Sequence, residues 1–341
     1  MKTLGAGIIG TGWVSDEYIK AFKKNPHCEV AAICSRGADR AKAKASEHGL
    51  THCAVFTDPA EMLKEKAIDI VAICTPHHQH VEQGVAAARA GKHVIVEKPI
   101  AITLPSLRQL DQAIRAAGVK SVVSFVLRWN PMFDNIRAML DQDLIGKVFY
   151  AEVDYLHGVG PQYRLWSWMV KKEYGGSSLL AGGCHAVDGL RWFVRDEAVE
   201  VTAYSNKSGR NPFQYEYDPN IVAIVKFAGG AIGKVACCLE ARMPYVFNVA
   251  LFGDKGTIRN NQVFTTQWPG QNSWAAIPAI LPDSGDVSHH PFQQEVDHFV
   301  DCIRTGKESH ARVADTYKTH EICLAADMSA AEGKPIRLPL P

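Results

Sequence analysis

The stretch LGAGIIGTGWVS, residues 4–15, runs an apolar segment into a glycine turn and then into a helix-forming sequence. Gly10-Thr11-Gly12 makes the turn tight and lets the backbone approach a pyrophosphate, which then rests at the positive end of the helix. Trp13 and Val14 follow the turn and are expected beside the cofactor, Trp13 either roofing the nicotinamide or opening the helix core. Ser15 stands where the usual fingerprint has a third glycine, and it is small enough for helix and strand to pack closely. Strand–turn–helix order gives weight to a glycine pattern that would be weak alone.

Outward from this stretch, candidate strands at Leu4–Ile9, Val30–Cys34, Asp69–Cys74, His93–Val96 and Ser121–Val126 alternate with helical segments at Val14–Lys24, Ala38–His48, His78–Ala90 and Pro105–Ala117. IDIVAIC and HVIVE are apolar almost throughout, as parallel strands covered on both faces must be. The alternation predicts a doubly wound, Rossmann-type parallel sheet over residues 1–125. From about Lys147 the pattern changes: VFYAEVDY alternates apolar and polar residues, the mark of a strand with one buried face. A helix over Cys184–Val194 precedes strands at Val199–Ser205, Ile221–Phe227, Ala231–Leu239, Val246–Phe252 and Gly256–Arg259. That succession predicts a second α/β domain, residues 126–341, with an open and mostly antiparallel sheet. Residues 266–291 read as an extended loop. Helices at Phe292–Arg304 and Ala314–Glu332 close the chain and can pack back on the first domain.

The 341 residues suit two domains, and 37 basic against 36 acidic residues give a net charge of +1. That balance offers no electrostatic footing for nucleic acid or an anionic membrane. No apolar run approaches the roughly 20 residues of a membrane helix, and the start of the chain lacks the order of a signal peptide. Nine cysteines without a C-x-x-C pair read as reduced thiols in a cytoplasmic protein.

The second strand ends at Ser35-Arg36, where NAD enzymes carry an acidic residue for the ribose hydroxyls. Ser35 can bond a phosphate and Arg36 or Arg40 can neutralise it, which favours NADP over NAD; both arginines otherwise read as solvated helix-start residues. CTPHHQHVEQGVAAARAGKHVIVEKP places Thr75-Pro76 at one strand end and Glu97-Lys98-Pro99 at the next. Strand carboxyl ends are where open α/β sheets bind ligands, so Thr75, Pro76, His77, His80, Glu97 and Lys98 are expected at the cofactor. Lys98 is placed to hydrogen-bond the substrate hydroxyl and carry its proton while hydride leaves the adjacent carbon. His77, His78 and His80 with His289-His290 invite a metal, but their place at a helix start beside the cofactor argues for none.

The glycine turn, the T-P-x-x-x-H segment and Glu-Lys-Pro together resemble the glucose–fructose oxidoreductase / inositol 2-dehydrogenase family, Gfo/Idh/MocA. The resemblance extends through R-W-N-P at Arg128–Pro131, GGSSLLAGGCHAVDGLRWF and HPFQQEVDHFVDCIRTGK. It implies a Rossmann domain, a second domain whose open sheet builds homodimers or homotetramers, and NAD(P) as cofactor, with Arg128 counted among its contacts. It also implies that His185 works beside Lys98 as a catalytic acid–base group, with Asp188, three residues on, placed to hold the ring. One departure stands out: Ala181 occupies the position of an aspartate in the inositol-type enzymes, so Asp188, Tyr155 or a water takes its part, or the chemistry differs. Tyr155, His157, Arg164 and Trp166 supply aromatic faces and polar groups suited to a carbohydrate or polyol pocket, or else an oligomer contact. Three functions follow: a sugar, glycoside or cyclitol dehydrogenase; a redox-neutral glycoside cleavage or epimerisation with recycled cofactor; and a non-catalytic NAD(P)-binding regulator.

Overall fold

The computed structural model describes residues 2–279 and 290–341, so His289 and much of the 266–291 loop lie outside the described residues. The chain divides into two compact units, Met1–Val126 with Val287–Tyr317, and Leu127–Asp286 with Lys318–Pro341.

In the first unit, β1 (Leu4–Ile9), β2 (Cys28–Cys34), β3 (Ala54–Phe56), β4 (Ile70–Ile73), β5 (His93–Val96) and β6 (Ser121–Val123) form one sheet in the order β3-β2-β1-β4-β5-β6. Every neighbouring pair in it is parallel. β4 is buried at all four positions, which is why its sequence shows no alternation. The strand order reverses between β1 and β4, the topological switch point where such sheets bind ligands. The closing helix Phe292–Thr305 folds with this unit against the helix Trp13–Lys24. Phe292 meets Tyr18 edge-on at 5.2 Å, and Asn25 donates to Asp297 at 2.7 Å.

In the second unit, β7 (Val148–Leu156), β8 (Ala198–Asn206), β9 (Asn220–Phe227), β10 (Ile232–Cys238), β11 (Val246–Gly253), β12 (Gly256–Arg259), β13 (Gln262–Thr265), β14 (Ala275–Ala276) and β15 (Ile336–Arg337) form a second sheet. Its order is β14-β13-β12-β11-β7-β10-β9-β8-β15. Only β7 and β10 pair in parallel; the rest are antiparallel. The helix Cys184–Val194 packs on β7 and β10, and β9 beside them reads buried and exposed in strict alternation. The other face leaves Tyr204, Val222, Ile224 and Ile232 exposed, around a Lys234–Asp154 ion pair at 2.8 Å. No helix among the described residues is long and apolar enough to cross a membrane.

Candidate active site

Gly10 ends β1 at φ 99°, and a Cβ there would lie 2.6 Å from the Cys74 carbonyl oxygen. The positive φ and the close approach both demand glycine. Gly12 caps the helix Trp13–Lys24 without any side-chain acceptor, and the nearest atom to a Cβ on it is 3.6 Å away. The Ser15 N–H donates to the Gly12 carbonyl at 3.1 Å, and no side chain caps the first helix N–H groups, so the turn fits a pyrophosphate. Exposed Trp13 and half-buried Val14 flank the turn, while Ser15 is fully buried and donates its hydroxyl to the Gly12 carbonyl at 2.5 Å. At the end of β2, Ser35 lies 3.2 Å from the Thr11 hydroxyl, which draws that strand exit to the turn; Arg36 and Arg40 are exposed beside it.

The exits of β4 and β5 are tied by His80. Its fully buried ring places one nitrogen 2.7 Å from the Pro99 carbonyl and the other 2.7 Å from the Thr75 carbonyl. The ring thus lies between the two loops, and as a neutral imidazole it donates to one of the two carbonyls. Burial pulls its pKa below the usual imidazole range, against the pull of the two carbonyl contacts. Thr75 donates to Gln83 at 2.7 Å, Pro76 leads into a short 3-10 turn, and His77 is buried in that turn, 5.8 Å ring to ring from His80. The Lys98–Pro99 peptide is cis.

The Glu97 carboxylate turns into the first unit. It accepts from the Tyr18 hydroxyl at 3.1 Å and from the Lys98 backbone N–H at 3.2 Å. Tyr18 also reaches Ser124 at 2.7 Å and Glu295 at 3.4 Å, and Ser124 reaches Glu295 at 3.0 Å. Burial raises the pKa of Glu97, opposed by the charge of Lys98. Burial and the neighbouring Glu97 push Glu295 up to about 8. The sequence reading passed over Glu295, yet a signal existed: it falls on the apolar stripe of its helix with Phe292, Val296 and Phe299.

In the second unit a π-helical turn, Leu179–Gly183, feeds the helix Cys184–Val194 and sets buried His185 at its start. A Cβ on Gly182 would come within 2.7 Å of the Tyr155 ring, so glycine admits Tyr155, which stacks on His185 at 6.4 Å and 21°. His157 bridges two phenols, Tyr155 at 3.1 Å and Tyr163 at 2.7 Å, with Tyr245 packed 4.9 Å from its ring. Trp166 donates its indole N–H to the Phe213 carbonyl at 2.9 Å, which docks the aromatic loop, and Arg164 is exposed on it. Ala181 is 4% exposed within the π turn.

Asp188 and Arg128 pair with each other. Arg128 donates to both Asp188 oxygens, at 2.7 and 2.6 Å, and Thr319 donates to the same carboxylate at 2.9 Å. The Arg128 guanidinium also lies 4.4 Å from the Trp192 ring centroid. Asp188 is thus engaged by Arg128 and Thr319, and Arg128 is a buried cation of the second unit. Among the described residues no cluster of three or more metal-type side chains occurs.

A family model described as an oxidoreductase family with an NAD-binding Rossmann fold matches residues 4–125, and a GFO/IDH/MocA C-terminal domain model matches 133–259. The 1,5-anhydro-D-fructose reductase of Ensifer adhaerens is 31% identical over 228 residues, 67% of each chain. The scyllo-inositol 2-dehydrogenase (NAD(+)) of Bacillus subtilis (strain 168) is 25% identical over 340 residues, covering 97% of this chain and 95% of that one. A solved levoglucosan dehydrogenase, in complex with NADH and L-sorbose, superposes with a TM-score of 0.90 at 22% identity over 100% of both chains.

Proposed function

Because the chain belongs to the Gfo/Idh/MocA family of NAD-binding oxidoreductases, we propose that it moves hydride between nicotinamide and a ring hydroxyl or carbonyl of a sugar, glycoside or cyclitol. The observation that carries this reading is the convergence of two features on one edge of the sheet. The glycine turn ends β1, Lys98 follows β5, and β4 alone separates the two strands. NAD(P), when bound, accepts or returns the hydride. Gly10, Gly12 and the helix behind them hold its pyrophosphate, with Trp13, Val14, Thr75, Pro76 and His77 around it. Ser35, Arg36 and Arg40 meet the adenosine ribose and favour a 2′-phosphate. Lys98 hydrogen-bonds the substrate hydroxyl and takes or returns its proton, and His185 is the second acid–base group. Tyr155, His157, Arg164 and Trp166 contact the substrate.

The test is a panel of sugars and cyclitols with NAD and NADP, followed by absorbance of the reduced nicotinamide. Lys98→Met is expected to abolish turnover while cofactor still binds, and activity retained in that variant removes Lys98 from the mechanism. Arg36→Ala is expected to weaken NADP far more than NAD; equal loss for both removes the phosphate argument. Ala181 supports a second reading, cleavage or epimerisation with the hydride returned in each turnover, which product formation without net cofactor reduction separates from the first. We place the protein in the cytoplasm on its nine free cysteines. It assembles as a homodimer or homotetramer through the sheet face bearing Tyr204, Val222, Ile224 and Ile232, and light scattering after gel filtration checks that assembly.

A further inference from the structure

We propose that Glu295, Ser124 and Tyr18 form a buried proton wire that moves negative charge between Glu97, next to Lys98, and Glu295; this rests on Lys98 being the acid–base group. The four groups come from two helices and the exits of β5 and β6, and Tyr18, Ser124 and Glu295 are 0%, 1% and 0% exposed. Their oxygens lie close together, Tyr18–Ser124 at 2.7 Å, Ser124–Glu295 at 3.0 Å, Tyr18–Glu97 at 3.1 Å and Tyr18–Glu295 at 3.4 Å, and the Ser124 hydroxyl also faces Glu97. A contact of this kind is attractive only with a hydrogen in it, and the tyrosine and serine hydroxyls bring one each. With both carboxyls ionised, the three shorter contacts hold two protons. A third proton, on a carboxyl, completes them.

Glu295 is the group that holds it. Glu97 has the Lys98 backbone N–H and the Lys98 charge to stabilise its ionised form, whereas Glu295 has only hydroxyl contacts. The chain of donors then runs one way: the Glu295 acid to Ser124, Ser124 to Tyr18, Tyr18 to the Glu97 carboxylate. The upward shift of Glu295 to about 8 accords with this order. The remaining titratable neighbour is the buried Cys74 thiol, itself held well above its usual range by burial and the two glutamates.

The wire has work when Lys98 gives its proton to a substrate oxygen. The ammonium becomes a neutral amine, and the Glu97 carboxylate is left in a desolvated place without its compensating charge, which favours protonation. Three O–H bonds break, on Glu295, Ser124 and Tyr18, and three form, on Ser124, Tyr18 and Glu97. No electron moves and no co-reactant is required. The charge thereby retreats to Glu295, and it returns when Lys98 is reprotonated. Tyr18, Ser124 and Glu295 are positioning residues in this scheme, acting through Glu97.

Infrared difference spectra of the free protein, titrated across pH about 8, test the resting state without turnover. Burial also lifts the Asp327 carboxyl to about 7, so the Glu295 signal is the component of the protonated-carboxyl carbonyl band that wild type and Lys98→Met show, that is lost as the pH rises, and that Glu295→Gln lacks. Tyr18→Phe and Ser124→Ala are expected to lower kcat about tenfold, the worth of one charge-assisted hydrogen bond, with KM and cofactor affinity unchanged. Absence of that component from wild type overturns the proposal whether or not those variants fold. So does wild-type kcat in folded Tyr18→Phe and Ser124→Ala. Full turnover by Lys98→Met would instead remove the catalytic reading and leave the carboxyl band standing.

Discussion

Replacing Asp188 by alanine separates a structural from a catalytic role for this carboxylate. The Arg128 side chain is 0% exposed and that of Asp188 3%, and two charge-assisted hydrogen bonds join them, with Thr319 as a third partner of the carboxylate. Removing one partner of such a pair strands the other charge out of water, a loss of about 3–5 kcal/mol. For a unit of this size each kcal/mol lowers the melting temperature by roughly 2–4 °C, so the second unit is expected to melt about 10 °C earlier and at lower urea. Replacing the pair together, Arg128→Met with Asp188→Leu, should recover most of that loss, because no charge is then left buried. Thermal and urea melts of the three proteins, read by circular dichroism, supply the comparison. A wild-type melt for Asp188→Ala, combined with a collapse in kcat, would refute the structural account and return Asp188 to His185 as its orienting partner.

Three further outcomes are expected. Gly10→Ala forces a side chain into a positive-φ position 2.6 Å from the Cys74 carbonyl oxygen; it should abolish dinucleotide binding by calorimetric titration, and near-normal affinity would show that the turn does not set the pyrophosphate site. Gly182→Ala should push the Tyr155 ring off His185, reducing kcat while cofactor affinity stays within about twofold, since the change lies far from the glycine turn in sequence; equal losses of both would point to general unfolding. The third concerns pH. Glu295, raised from 4.5 to about 8, binds a proton in the folded state that the unfolded chain has already released, so its contribution to stability declines as pH climbs between those values. Urea midpoints measured across that window should fall more steeply in wild type than in Glu295→Gln, and parallel slopes would mean that Glu295 is ionised throughout.

The parallel sheet was legible because its strands are covered on both faces: β1 and β5 could be read to the residue from unbroken apolar runs, as could Gly10, the glycine that the turn's positive φ requires. Short strands with little burial escaped, among them β3, with Ala54 exposed, and the two-residue β15 beside a proline-rich end. Side-chain destinations were harder still. Arg128 sits in a stretch that reads as a ligand motif, but its partner Asp188 lies 60 positions away and nothing local announces the pairing. His80 likewise carries the residue type of a cofactor contact, and only the convergence of the Thr75 and Pro99 carbonyls reveals a clamp.

Those hidden side-chain partners share a physical origin. A polar side chain in a sequence motif is read as facing a ligand, because a buried polar group without a partner is costly and sequence shows no other partner. In the folded chain the partner is often backbone or a distant helix. The helix Phe292–Thr305 is the clearest instance: it arrives after β7–β14 of the second sheet have been laid down, yet it supplies Glu295 to the wall behind the Lys98 turn and Asp297 to Asn25. The first unit is therefore not complete at residue 126. Its β5 exit, where the catalytic lysine is expected, has a lining that includes an acid from a segment nearly 200 residues further on, so the electrostatic setting of Glu97 and Lys98 is fixed only once the chain returns. That places the chemistry of the Glu-Lys-Pro turn under the control of residues that its own neighbourhood in the sequence does not contain.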